Sequence, residues 1–195
     1  MTQQETLSLE EAAKLLRDGA VGIFSTDTAF AIGCRMDDEK AVARLFEIKG
    51  RESAKATPVL VSSYEMAQAY VAPISPMIKK KLLDRFWPGA LTVVFPAIER
   101  KVAPLVRGGG NTLGVRMPNA HQTRTLIDLV GVPLLGTSAN FSGNPPAHQL
   151  SDLDQKLVSM VDFVLPGKCE HQMVSTVVDV SIMPWKILRQ GMIIL

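Results

Sequence analysis

The stretch Asp38-Glu39-Lys40-Ala41-Val42-Ala43-Arg44-Leu45-Phe46-Glu47-Ile48-Lys49-Gly50-Arg51-Glu52-Ser53-Ala54-Lys55-Ala56-Thr57-Pro58-Val59-Leu60-Val61 decides how the chain is read. Its first half places Val42, Leu45, Phe46 and Lys49 at helical spacing, and Gly50 is the residue type that stops such a helix in the left-handed conformation. Pro58 to Val61 then reads as a buried strand. Helix, loop and strand together make one unit of an α/β fold. The loop holds Lys49, Arg51 and Lys55, three cations in seven residues. They can converge on one polyanion, because a turn gathers side chains that a continuous helix points apart. A triphosphate fits such a cluster. A local reading stands beside it, in which Lys49 complements the negative end of its own helix while Arg51 and Lys55 are solvated. The stretch alone leaves both open.

Toward the N-terminus, Ser8-Leu9-Glu10-Glu11 has the spacing of a capping box and predicts a helix that ends at Gly19. A strand over 20–24 runs into Ser25-Thr26-Asp27-Thr28. Small polar residues at a strand exit either face a ligand crevice or close an Asx or Ser/Thr turn by local hydrogen bonds.

Downstream of the opening stretch, a short helix is predicted over 64–70. Ser75-Pro76 caps a second helix reaching Phe86. Within it Lys79 to Lys81 read as a solvated face, and Trp87 after it reads as packing. Strands are predicted over 91–95 and 112–118, joined through Arg107-Gly108-Gly109-Gly110-Asn111. These glycines do not make the pattern of a phosphate-binding P-loop, so that mode of nucleotide binding is excluded. Arg116, inside an apolar strand, must face water or find a partner. A helix over 121–130 and a strand over 132–135 lead into the polar exit Gly136-Thr137-Ser138-Ala139-Asn140-Phe141-Ser142-Gly143. A helix over 153–160, strands over 163–165 and 175–180, and the short segment 186–189 complete the chain. The alternation carries no repeat and predicts one α/β domain over residues 1–195.

An apolar fraction of 47% in 195 residues is ample for a core, and a net charge of only +2 confines any nucleic-acid contact to a local basic patch. Cys34 and Cys169 form no paired motif, and His121, His148 and His171 have no metal-ligand spacing, so reduced thiols and no protein-held metal are expected. Residues 1–5 lack the features of a leader, and no apolar run has the length of a membrane span. The expectation is a soluble, cytoplasmic protein without a membrane partner.

Several separated stretches together resemble the YrdC-like family, the threonylcarbamoyl-AMP synthases of tRNA modification. They are Ser25-Thr26-Asp27-Thr28 with Phe30 and Gly33; Lys49-Gly50-Arg51 with Lys55 and Pro58; Phe86-Trp87-Pro88-Gly89-Ala90-Leu91-Thr92; Gly114-Val115-Arg116-Met117-Pro118; and Ser138-Ala139-Asn140-Phe141-Ser142-Gly143. Ser175-Thr176-Val177-Val178-Asp179 and Ile187-Leu188-Arg189-Gln190-Gly191 extend the match to the end.

The resemblance implies an open, twisted α/β sheet with a deep basic crevice, and an enzyme joining L-threonine, bicarbonate or carbon dioxide, and ATP into threonylcarbamoyl adenylate with release of pyrophosphate. It implies that Lys49 and Arg51 grip the ATP phosphates with Lys55 as a third cation. Thr112, Asn140 and Arg189 contact ATP on the same reading, while Thr26, Arg116, Ser138 and Ser175 hold threonine. Lys49, Arg51, Ser138 and Asn140 then carry the catalysis. ATP is a substrate here, magnesium is held through its phosphates, and tRNA or structured RNA and a separate transferase complex are the implied partners. The resemblance leads one to expect a short form without the further C-terminal domain of longer relatives.

Four positions depart from the family's pattern: Ser25 stands for proline, Ala31 for glycine, Glu52 for proline and His148 for a small hydroxyl residue. Two other classes are compatible with the fold, an RNA-binding module without chemistry and a relative that handles carbamoyl phosphate. The first has no need of hydroxyls at two strand exits, and the second normally carries accessory domains.

Overall fold

A computed structural model describes residues 7–50 and 56–195. Arg51, Glu52 and Lys55 therefore lie outside the described residues, as do residues 1–5.

The first helix, α1 (Leu9–Arg17), begins as its sequence requires. Ser8 Oγ accepts from the Glu11 amide at 3.2 Å, and the Glu11 carboxylate accepts from the Ser8 amide at 2.8 Å. Two strands follow, β1 (Gly22–Ser25) and β2 (Phe30–Arg35). Next comes α2 (Glu39–Lys49), capped by Asp38 and closed by Gly50 at φ 57°, a left-handed conformation that favours glycine. The chain continues through β3 (Val59–Leu60), α3 (Tyr64–Gln68) and a helical run made of α4 (Pro76–Ile78), a π-helical turn (Lys79–Leu83) and α5 (Asp84–Phe86). Then β4 (Leu91–Pro96), β5 (Thr112–Arg116), α6 (His121–Val130), β6 (Leu134–Ser138), α7 (Gln155–Val158), β7 (Phe163–Val164), β8 (Thr176–Asp179) and β9 (Lys186–Arg189) complete it.

Among the described residues, nine strands form one open sheet in the order β7-β1-β2-β6-β3-β5-β4-β8-β9. It is mixed, with β1–β7, β3–β5 and β4–β8 parallel and the other neighbours antiparallel. Helices cover both faces. The register sets Ile23 opposite Ile32 and Phe24 opposite Ala31, and because side chains alternate across a strand the two pairs face opposite sides. Ile23 and Ile32 pack with Val42, Leu45 and Phe46 of α2. On the other side, Phe24 and Ala31 join Ala12 and Leu16 of α1 and Leu126 and Ile127 of α6.

Several expectations need correction. No strand is predicted over 30–35, yet β2 forms there and pairs antiparallel with β1. Its burial is nearly continuous, so it lacks the alternation that marks a half-exposed strand. Residues 26–29 are thus a hairpin loop between two neighbouring strands and not a simple strand exit. Strand β6 runs on to Ser138, three pairs beyond the predicted end, because Gly136, Thr137 and Ser138 pair with Gly33, Ile32 and Ala31. The helix predicted over 153–160 is only α7, preceded by a 3-10 turn (Leu150–Asp152). The helix from Ser75 forms as predicted but widens into a π turn at its lysines. Lys80 and Lys81 are exposed, and Trp87 is buried with its indole donating to the Leu91 carbonyl at 2.8 Å. Among the described residues, no helix is long and apolar enough to cross a membrane.

Candidate functional site

A pocket of about 390 Å³ opens between the β1–β2 hairpin, the strands β3 to β6, and the β8–β9 pair with the two residues that precede β8. Its volume falls in the range of small-molecule sites, roughly 300–1,000 Å³. Eight hydroxyl residues line it, Thr26, Thr28, Thr57, Thr92, Thr112, Thr137, Ser138 and Ser175, together with Arg116 and Arg189. No carboxylate is among the described lining residues. Such a wall donates hydrogen bonds and carries positive charge, which suits an anionic ligand rich in oxygen.

The hairpin loop realises both readings of its sequence. Thr26 Oγ1 accepts from the amides of Thr28 and Ala29, each at 3.2 Å, and donates to the Ala29 carbonyl at 2.7 Å. That is a Ser/Thr turn. The same turn sets Thr26 and Thr28 in the pocket wall. His148, at a position where the resemblance leads one to expect a small hydroxyl residue, braces the turn from outside: its Nδ1 lies 2.8 Å from the Thr28 carbonyl, a contact that requires a donating ring N–H.

Arg116 lies at the end of β5 and is 6% exposed. Its Nη2 donates to Asp27 Oδ1 at 2.6 Å, its Nη1 to Thr28 Oγ1 at 2.8 Å and its Nε to the Gly89 carbonyl at 3.0 Å. The question posed by a cation in an apolar strand is answered by Asp27, itself 1% exposed. Burial pulls the Arg116 guanidinium below its ordinary value, and the Asp27 charge opposes this. Asp27 had no assigned role in the sequence reading. The signal was there, since it is the one charge among four small polar residues and Arg116 the one charge in its strand, but their contact joins residues 89 apart.

Ser175 closes the opposite wall. Its hydroxyl is 3.0 Å from Thr92 Oγ1 and accepts from Arg189 Nη2 at 2.9 Å, while Arg189 Nε donates to the Ser175 carbonyl at 3.0 Å. Burial of its guanidinium, and then the nearby Arg116 charge, lower Arg189 from its ordinary value. Among the described residues, two guanidiniums therefore share one pocket, with the Asp27 carboxylate behind it. Thr112 adds a hydroxyl at the start of β5. Gly136 keeps the floor thin: a Cβ there would come within 2.7 Å of Leu60 Cδ1.

Lys49 is the last residue of α2. It is 4% exposed, and its ammonium donates to the Ser138 carbonyl at 2.5 Å and to the Asn140 carbonyl, with Asn140 Oδ1 3.4 Å away. It is neither a solvated helix-end charge nor a residue of the pocket wall. Asn140 also bonds within its own loop, its Nδ2 donating to Asn144 O at 2.5 Å and to Phe141 O at 3.1 Å. Of the residues singled out by sequence, Thr26, Thr112, Arg116, Ser138, Ser175 and Arg189 meet in the pocket wall. Lys49 and Asn140 stand directly behind Ser138, and Arg51 and Lys55 lie outside the described residues.

With this geometry in hand, comparison with known proteins is informative. The family model Sua5_yciO_yrdC, described as "Telomere recombination", matches residues 14–191. A threonylcarbamoyl-AMP synthase of Pyrococcus abyssi is 34% identical over 96% of this chain, which spans 55% of that relative. One from Nitrosococcus oceani is 31% identical over 80% of this chain and 83% of its own length. A crystal structure of P. abyssi Sua5 complexed with L-threonine superposes with a TM-score of 0.88 at 32% identity, covering 94% of this chain and 54% of that one. The chain thus spans about half the length of the P. abyssi relative.

Proposed function

The chain belongs to the Sua5/YciO/YrdC family, and we propose that it is an L-threonylcarbamoyladenylate synthase serving the threonylcarbamoyladenosine modification of tRNA. One observation carries the reading. A buried, oriented guanidinium (Arg116) and the hydroxyls of Thr26, Thr28 and Ser175 converge on a pocket with no carboxylate among its described lining residues, in a chain that superposes on a relative complexed with L-threonine.

In this proposal the threonine carboxylate meets Arg116, and Thr26, Ser138 and Ser175 supply hydrogen bonds to the rest of the amino acid. The threonine amine combines with carbon dioxide, of which bicarbonate is the hydrated form, to give a carbamate and a proton. A carbamate oxygen then attacks the α-phosphorus of ATP; the new P–O bond forms as the bond to the bridging oxygen breaks, and pyrophosphate leaves. No covalent nucleophile of the protein is needed. Positioning two anions together and neutralising the leaving group are the whole task. Arg189 and Thr112 face the nucleotide, and Arg51 and Lys55 are assigned to its phosphates. Lys49 and Asn140 act from behind by holding the end of β6. The pocket's described residues do not fit an all-protein magnesium cage, since none is a carboxylate or imidazole, so magnesium is proposed to enter with the triphosphate. The adenylate then passes to a separate transferase complex, and contact with tRNA is part of the same proposal, as is a cytoplasmic setting and action as one domain.

The test is pyrophosphate release with ATP alone, with threonine added, and with threonine and bicarbonate together. Release is expected only in the last, and without tRNA. Equal release without threonine overturns the reading, and tight binding of structured RNA with no release under any condition replaces it with an RNA-binding role.

A further inference from the structure

We infer that Asp27 is a positioning residue for the amino-acid substrate: it holds the Arg116 fork in the orientation that receives the substrate carboxylate. This deepens the reading above and rests on it.

Three contacts fix the Arg116 guanidinium, and they differ in kind. The Gly89 carbonyl and the Thr28 hydroxyl are neutral acceptors on the backbone of one loop and the tip of another. Asp27 is the one charged partner, at 2.6 Å. Together they use three of the five guanidinium N–H bonds, leaving one on each terminal nitrogen for a ligand. A carboxylate received by both is held in a plane, so its place in the pocket follows the orientation of the guanidinium.

The Asp27 carboxylate is costly as a purely structural device. It is 1% exposed, only its Oδ1 is paired, and Oδ2 finds no hydrogen-bond partner among the described residues. Neutral residues of similar volume serve a fold at least as well as a half-satisfied buried ion pair. Its position accounts for the cost. Thr26 and Thr28, its neighbours on either side, line the main pocket, whereas Asp27 lines a second cavity of about 180 Å³ beyond the turn. The carboxylate therefore reaches Arg116 from outside the ligand space, where it anchors the cation without competing for the ligand's place.

The experiment measures the dissociation constant for threonine and the Michaelis constants for threonine and ATP in the full-length protein, with Asp27→Asn, Arg116→Lys and the double variant, alongside melting temperatures. Asp27→Asn is expected to weaken threonine binding roughly tenfold and leave the ATP constant within about twofold, since the guanidinium loses its anionic acceptor and keeps only a neutral one. In the Arg116→Lys background, where no fork remains to be oriented, the same substitution should cost threonine binding less than about threefold. Should Asp27→Asn fail to fold, Asp27→Glu carries the same expectation, because it keeps the charge and displaces the carboxylate by one methylene. Threonine and ATP constants that rise together, a lowered melting temperature with unchanged threonine binding, tighter threonine binding, or full additivity with Arg116→Lys each overturn the inference. Unchanged threonine binding in Arg116→Lys removes the reading on which it rests, a result distinguishable from one in which only the Asp27 variants are silent.

Discussion

The ammonium of Lys49, the last residue of α2, donates to the main-chain carbonyl of Ser138, the last residue of β6, at 2.5 Å. Two segments 89 residues apart are fastened at the point where Ser138 enters the pocket wall. Lys49→Met keeps the stem and deletes the ammonium, leaving the Ser138 and Asn140 carbonyls without this donor. A loss of about 1–3 kcal/mol in stability is expected from the lost charge-assisted hydrogen bonds, although the Ser138 carbonyl keeps the Asn140 amide at 2.9 Å, together with a roughly tenfold fall in turnover as Ser138 loosens. Urea unfolding and pyrophosphate release measured on one preparation check both. Lost turnover at unchanged stability would instead assign Lys49 to the phosphates.

The Ser175 hydroxyl links Thr92 to Arg189. Ser175→Ala should cost about 0.5–1.5 kcal/mol, the net worth of an ordinary hydrogen bond, and release the Arg189 side chain from one of its two anchors. The Michaelis constants for threonine and ATP should then both rise, unlike those of the Asp27 variants, because Ser175 stands between the two proposed subsites. Steady-state kinetics with each substrate varied in turn decides it.

Threonine alone should stabilise the folded protein by mass action. At a hundredfold excess over its dissociation constant, the gain is about 2.7 kcal/mol. For Arg116→Lys with tenfold weaker binding, the same concentration gives about 1.4 kcal/mol. Thermal unfolding with and without threonine measures the difference, and an equal gain in both proteins would place the carboxylate elsewhere.

A pH effect is expected away from the site, at Asp162 just before β7. Its carboxylate receives both terminal nitrogens of Arg44, at 2.5 and 3.0 Å, and the Val21 amide at 2.8 Å. The Arg44 hydrogen bonds, and after them the Val21 amide, hold Asp162 below its ordinary carboxylate value of 3.8 against an opposing effect of burial. A depressed value means that the stabilisation is complete above the unfolded value and disappears as pH falls through the folded one. Because both side chains are about a third exposed or more, the contribution is at most about 1 kcal/mol. Asp162→Asn should therefore be less stable than the parent by that amount near neutrality, with the difference constant down to about pH 4 and closing below it. Urea titrations across this range test the sign.

The periodic and capped elements were legible in the sequence because their causes are local. A capping box at Ser8, a left-handed glycine at position 50 and helical spacing over 121–130 each depend on neighbours within one or two turns. The order of the polar motifs likewise pointed to six residues that now share one pocket. Other features depended on partners far along the chain. Strand β2 exists because β1 and β6 flank it on both sides, and its continuous burial erases the pattern by which a strand is recognised. Asp27 and Arg116 each looked anomalous alone, and only the register of β5 against the hairpin made them a pair. Lys49 could be read as reaching for phosphates or as complementing its helix; tertiary packing closes β6 against its ammonium, because a buried cation takes the nearest carbonyls when water is excluded.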